Sequence, residues 1–505
     1  MRKKLLAGML ALALCSTNMP LQTIFAEEFT SGNPDVVSEE ETPEIFTNEE
    51  QEAVGETDEE LSVFSSEEVP EFNDAPDEAM AAAENEQAGE IDLADNDKVM
   101  NGVYTISSAG DYKFTCSRET GNRIVVDGKK ISAKDSINIY LNKVNINTSA
   151  GPALRINLNV EATVTIHLTG TNSLITKNNY YAGLYKANKA SLIITTKVLD
   201  TTAGILNAHG SSDGNGAGIG GSNITINSCS VIASSKYGAG IGGNNQGAGS
   251  KITINSASVT ARSTDGAGIG GGLYGDGSDI IINNSSVTAS STNGAGIGGG
   301  KGYGGSCKNI TINGGSVKAS SVSGSPTNEG KEVYCCTIEN PENANVTIKP
   351  GTGNWKPVNH SSLDPDDTNL YVWLPKLEGN STNSYLIILD PENGSESRTR
   401  NYSFDTVTNT FKAAQVVDDF IFKSPVNLTY DGQPKEASLE FKFKPTPENN
   451  RKISLVYYKG NYDDIKDTTE PLQGAPVNAG TYTVKAQIAA SESYFAHNGL
   501  ESLYY

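Results

Sequence analysis

Two tyrosines and a run of amides stand in the loops of a glycine-rich stretch. They are Asn244-Asn245-Gln246, Tyr274 and Tyr303. A flat aromatic ring can stack on the C–H face of a sugar, and amides around it can hydrogen-bond the hydroxyls. Tyr180, Tyr181 and Tyr185 form a second group of this kind. Asp276 and Asp279, in Asp-Gly-Ser-Asp, could hold Ca2+ together with loop carbonyls. Catalysis on polysaccharides asks for more. A hydrolase needs two carboxylates at a set separation, and a lyase needs a base with cations beside it. Residues 200–325 hold only Asp200, Asp213, Asp265, Asp276 and Asp279. His167, His209, His360 and His497 show no ligand spacing. Cys116, Cys229, Cys307, Cys335 and Cys336 are odd in number and include no CxxC pair.

The elements that must position these loops come from an internal repeat. Gly-Ala-Gly-Ile-Gly-Gly occurs at 216–221, 238–243, 266–271 and 294–299. Ile-Thr-Ile-Asn or its equivalent begins at Ile224, Ile252, Ile280 and Ile310, in steps of 28, 28 and 30 residues. Val231, Val259, Val287 and Val317 follow, each with an alanine two residues later. Each unit offers three short strands whose apolar residues alternate with polar ones. One unit cannot enclose a core, whereas stacked units make columns of like residues, as in a parallel β-solenoid. Asn227, Asn255, Asn283 and Asn313 recur at one point of the coil, so their amides can form a structural ladder. The outward strand positions are Thr225, Thr253, Ile281 and Thr311, then Ile232, Thr260, Thr288 and Lys318; none is a carboxylate. The glycine loops lack the GxxxxGK[ST] of a phosphate loop.

The chain has 505 residues and a formal charge of −22. Residues 27–97 hold 26 Asp and Glu and no Lys or Arg, which places all the excess there. Such a segment is expected to be a disordered, self-repelling linker. Residues 98–505 are close to neutral, which suits a surface that meets uncharged or mixed glycans and disfavours nucleic acid. Residues 1–26 read as a secretory signal: Arg2-Lys3-Lys4, an apolar run from Leu5 to Leu14, and Ala26 before the cleavage point. A lipoprotein signal ending at Cys15 is the rival. No membrane span is expected, since no later run reaches about 18 apolar residues. Short strand signals continue through 326–416 as a small β module and through 417–505 as a last one.

The stretch Val164–Leu174 followed by GAGIGG…ITIN…V.A resembles secreted β-helical carbohydrate-binding-domain proteins of Firmicutes, over residues 98–325. The resemblance implies a right-handed parallel β-helix and polysaccharide binding. Leu428-Thr429-Tyr430-Asp431-Gly432 with Ala475–Tyr482 resembles the MBG-type repeat of bacterial surface proteins. It implies an all-β, sandwich-like module and cell-wall association.

The expected fold is therefore all-β: a β-helix, then two small β-sandwich-like modules, after a disordered acidic segment. The expected function is non-catalytic glycan binding or adhesion outside the cell, with a polysaccharide or glycoconjugate as partner. A pectate-lyase-like lyase and a passive stalk are the alternatives. No cofactor is expected, Ca2+ at Asp276 and Asp279 being the one candidate. Deleting the acidic segment should leave circular dichroism and ligand affinity unchanged; a loss of either would show that it has a role in the fold or the site.

Overall fold

The computed structural model describes residues 89–505, except 129–130, 188, 197–203, 303–306, 352, 355, 359, 361–367, 378–383, 444, 446–448, 462–468 and 505. Residues 1–26, expected to be a secretory signal, and most of the acidic segment lie outside the described residues. The last part of that segment does not behave as a linker. Ile91–Asp92 pairs in parallel with Gly110–Thr115, and Ile91 and Leu93 are buried. The alternation Ile-Asp-Leu is enough for a half-buried strand despite the acidic surroundings. The solenoid thus starts by residue 91, and a deletion that respects it must stop before Gly89.

Three parallel sheets run the length of the solenoid. The first stacks Gly110–Thr115, Ser136–Asn142, Thr163–Thr169, Ser191–Thr196, Ile224–Asn227 and Gly249–Asn255, then enters Gly277–Ser291 and Lys308–Ala319. The second stacks Asn145–Thr148, Thr171–Thr176, Ile205–His209, Ser230–Ser234 and Ser258–Ser263 before joining the same two long strands. The third is shorter. It runs from Val103–Ile106 and Arg123–Val126 through Leu154–Ile156 and Leu184–Lys186 to the Ile-Gly pairs at 219, 241, 269 and 297.

Register is residue for residue. Ile224, Ile252, Ile280 and Ile310 lie over one another, as do Val231, Val259, Val287 and Val317, and all eight are at most 2 % exposed. On the outward side, Asn255 donates to Asn227, Asn283 to Asn255 and Asn313 to Asn283, each through Nδ2 to Oδ1 at 2.8 Å. Earlier in the same column stand Tyr140 and His167, whose rings stack at 4.5 Å and 12°. Both arrangements need like groups one strand spacing apart, about 4.8 Å.

Lys186 breaks the pattern of the core. It points inward, is 1 % exposed, and its Nζ donates to the carbonyl of Ala187 at 2.9 Å. Loss of hydration lowers its pKa from 10.5 to about 8.

The far end of the solenoid is closed by the second module. Trp373 Nε1 donates to the Val317 carbonyl at 2.9 Å, and Tyr371 N donates to Ser316 Oγ at 3.0 Å. This module pairs Lys331–Glu339 with Asn369–Pro375, and Asn345–Pro350 with Ser384–Asp390, around Cys336, Ile338, Val372, Ile387 and Phe411. The third module has the pair Phe420–Lys423 and Ser438–Phe441. It also has a sheet of Ile453–Lys459, Tyr482–Ile488 and His497–Tyr504. No described helix is long and apolar enough to cross a membrane.

Burying a charged Lys186 costs stability fully below pH 8, and the cost disappears as pH rises from about 8 to 10.5. Lys186→Met should therefore raise solenoid stability by roughly 3 kcal/mol at pH 7. The variant's advantage in melting temperature over the unmodified chain should shrink as pH rises from about 8 to 10.5, the two being compared at each pH because the buried thiols act in the opposite sense. Thermal melts across that range check both.

Candidate functional site

The glycine-rich corner governs where the loop residues go. Gly242, Gly270 and Gly298 have φ near +130°. At Gly242 and Gly270, a Cβ would lie 2.0 Å from the carbonyl of the glycine one coil further on. Only glycine fits there. The loops that follow, beginning at Asn244, Gly272 and Gly300, turn back against the preceding corners. Asn245 N donates to Asn215 O at 2.7 Å, Leu273 N to Tyr237 O at 2.7 Å, and Lys301 N to Asp265 O at 2.8 Å. They also bond coil to coil: Gln246 N to Leu273 O at 2.7 Å, and Tyr274 N to Lys301 O at 2.9 Å.

Tyr274 has φ 61° and is 58 % exposed. Its ring lies against Gly302, where a Cβ would come within 2.2 Å of Cδ1. The Cδ1 side of the ring therefore lies close to the Gly302 backbone, while more than half of the residue stays open to solvent. Tyr303 lies outside the described residues. The 28-residue step from Tyr274 leads to Gly302, not to Tyr303. The expectation that Tyr303 joins the same edge falls on a residue outside the described ones.

Two amides of the first loop are partly engaged between coils, Asn244 through its oxygen and Asn245 through its nitrogen. Asn244 Oδ1 accepts from Ala217 N at 2.9 Å, and Asn245 Nδ2 donates to Asn215 Oδ1 at 3.0 Å. Both tie coils together, because backbone and amide groups at a half-buried corner must find partners. Gln246 is exposed, with φ 63°. Asp276 is exposed. Asp279 sits instead at the entry to the first sheet with φ 52°, in a left-handed column with Asn223, Lys251 and Asn309. Its Oδ1 accepts from Asn309 Nδ2 at 2.8 Å. Among the described residues, no three His, Cys, Asp or Glu side chains converge as a metal site.

Tyr237 belongs to this edge and was not anticipated. Its carbonyl holds the Tyr274 loop through Leu273, and its own N donates to Gly214 O at 3.3 Å. Lys236 Nζ lies 5.0 Å from its ring centroid and 3.0 Å from Asp213 Oδ1. The hydrogen bond to Asp213, and then Tyr237, raise the lysine's pKa. The chain of bonds continues through Asn215 N to Asn179 O at 2.6 Å, beside Tyr180 and Tyr181. Tyr180 is exposed, and Tyr181 and Tyr185 are half-buried. The signal was available: Tyr181, Asn215, Tyr237, Asp265 and Asn293 each precede the Gly or Ala that opens the corner. The structure therefore assembles an aromatic edge with donors, acceptors and paired charges. This equipment fits stacking and hydrogen bonding.

The thiols offer no second chemistry. All five described cysteines are free. Burial pushes Cys229 and Cys335 up to about 12 and raises Cys336 as well.

A family model for a beta helix repeat matches residues 252–273, 280–301 and 310–325, the coils that carry much of this edge. No curated protein and no solved structure matches the chain.

A cleft also opens between the second and third modules, with Glu339, Arg398, Arg400, Asp419, Arg451 and Tyr494 in its walls. Arg400 bonds Asp419, Arg398 bonds Glu342 at 3.1 Å, and Arg451 faces Glu339 at 3.8 Å. Arg451 also lies 3.9 Å from the Tyr494 ring centroid. Three cations meet three carboxylates, so the cleft is balanced and joins the modules. Arg400→Met would leave Asp419 buried without its cation and should cost about 3–5 kcal/mol in denaturant unfolding. Adding Asp419→Leu should recover most of that loss.

Proposed function

We propose that this chain is a secreted or cell-surface, non-catalytic protein that binds glycans or adheres through them. The observation that carries the reading is Tyr274. Its ring is seated on Gly302 in a loop bonded to neighbouring coils, so a stacking surface stands ready without ordering cost. Tyr237 and Tyr180 on the same edge extend it. The scarcity of carboxylates supports binding over cleavage. Asp213 and Asp265 are held by Lys236 and Lys301, at 3.0 and 3.6 Å. The third module, read as an MBG-type repeat, serves as a surface spacer in this proposal. Polysaccharide or glycoconjugate is the partner, at a cell wall or in the medium.

The full chain should bind at least one glycan on an array of plant, mucin and bacterial structures. Tyr274→Ala should weaken that binding about tenfold, equivalent to about 1.4 kcal/mol of stacking. Silence across the array would refute the proposal. Unsaturated product released from polygalacturonate in the presence of calcium would make the chain a lyase instead. Binding unchanged in both Tyr274→Ala and Tyr303→Ala would leave the loop edge a passive part of a stalk.

A further inference from the structure

The near-neutral charge of residues 98–505 is a cancellation. Residues 98–325 hold 19 Lys and Arg against 10 Asp and Glu, a net +9. Residues 326–505 hold 16 against 24, a net −8. Counted from Ile91, where the solenoid starts, Asp92, Asp95 and Asp97 lower this to +6, and the solenoid is still a basic rod.

At least four of the ten carboxylates of residues 98–325 accept a hydrogen bond from an amide one coil away, Asp265 while also facing Lys301 at 3.6 Å. Asn138 donates to Asp111 at 2.7 Å, Asn159 to Asp127 at 2.6 Å, Asn293 to Asp265 at 2.9 Å and Asn309 to Asp279 at 2.8 Å. At these sites an amide takes a place that a cation could fill. The cations are left over as a result. Lys177, Lys251, Arg262 and Lys308 are exposed and have no carboxylate partner among the described residues.

These four flank the tyrosine edge on both sides. Lys177 and Arg262 stand where second-sheet strands run out toward the corner. Lys177 directly precedes the Tyr180 loop, and the Arg262 carbonyl accepts from Ser235 N, two residues before Tyr237. They are three coils apart, about 14 Å along the axis. Lys251 and Lys308 stand on the other side, at the entries to first-sheet strands beyond the Gln246 and Gly302 loops. A ligand lying along the edge meets aromatic rings in the middle and unpaired cations at each margin.

Accepting the glycan reading, on which this rests, we infer that the glycan is anionic, carrying carboxylate or sulfate groups at intervals along an extended chain. Nucleic acid is the competing polyanion. Its charge density, about one per 1.7 Å of duplex, suits a continuous basic face. The edge also carries Asp213 and Asp265, which a sparsely charged glycan avoids more easily.

The test uses the full chain at 0.15 M salt, where fields beyond about 8 Å are screened and distant acids count little. Titrations would compare polygalacturonate, chondroitin sulfate, neutral dextran and a mixed-sequence DNA duplex. At least one anionic glycan should bind ten times more tightly than dextran, and that binding should fall at least fivefold at 0.5 M salt. The two anionic arms separate carboxylate from sulfate recognition. Lys177→Gln with Arg262→Gln should weaken the anionic glycan at least fivefold, with an unchanged melting curve. Equal, salt-insensitive binding of dextran and the anionic glycans would overturn this inference and leave glycan binding standing. Tighter binding of DNA than of any glycan would overturn it as well. Failure of every glycan, here and on the array, would remove both readings.

Discussion

The structure depends on one constraint: each coil must lie on the next in register, one strand spacing away. From Ile224 onward inward isoleucine then meets isoleucine, and Asn227, Asn255, Asn283 and Asn313 meet one another at 2.8 Å. A slip of one residue would turn the apolar set outward and break the amide ladder at once. The step of 30 residues between Ile280 and Ile310 shows how the constraint is kept. The two extra residues fall in the loop after Ile297–Gly298, and the pairing resumes at Lys308. Glycine serves the same end at the corner. Where a Cβ would strike the next carbonyl, the absence of a side chain sets how closely the coils approach.

Stacking of this kind has to stop somewhere, and its ends carry the cost. At the last coil, Asn313 Oδ1 is buried and has no partner, since no further asparagine follows. The second module takes over there, with Trp373 and Tyr371 supplying donors to Val317 and Ser316. At the other end, Ile91 and Leu93 cover the first coils. The ion pairs between the second and third modules are of a different kind. They hold by charge and by cation–aromatic contact and owe nothing to the repeat.

The features legible in the sequence are those that repeat. Ile-Thr-Ile-Asn and Val-x-Ala mark core columns because a solenoid repeats its environment every coil, so one pattern is seen several times. Single events were harder to see. Lys186 stands at an inward position where a sequence reading expects an apolar residue. The Ile91–Asp92 strand is concealed by the acids around it. The bonds that Asn244 and Asn245 make between coils are hidden because sequence does not show that their loop folds back on the previous corner. Tyr237 is hard to see because it stands one residue before the Gly-Ala-Gly-Ile-Gly-Gly unit that marks the repeat. The charge of the solenoid was masked by the opposite charge of the modules that follow.

The edge also shows how such a fold separates stability from recognition. Gln246, Tyr274 and Gly302 occupy equivalent places in three coils, and all three have positive φ. Their backbone groups carry the bonds between coils, so the side chain at that place contributes little to the stacking. It can be an amide, an aromatic ring or nothing, and the solenoid closes the same way. Where Gly302 follows Tyr274, the missing side chain becomes the seat for the ring. A change at this position alters what the edge offers to a ligand without asking the core to repack. The isoleucine and glycine columns have no such freedom, because each of their residues is bounded above and below by its own kind.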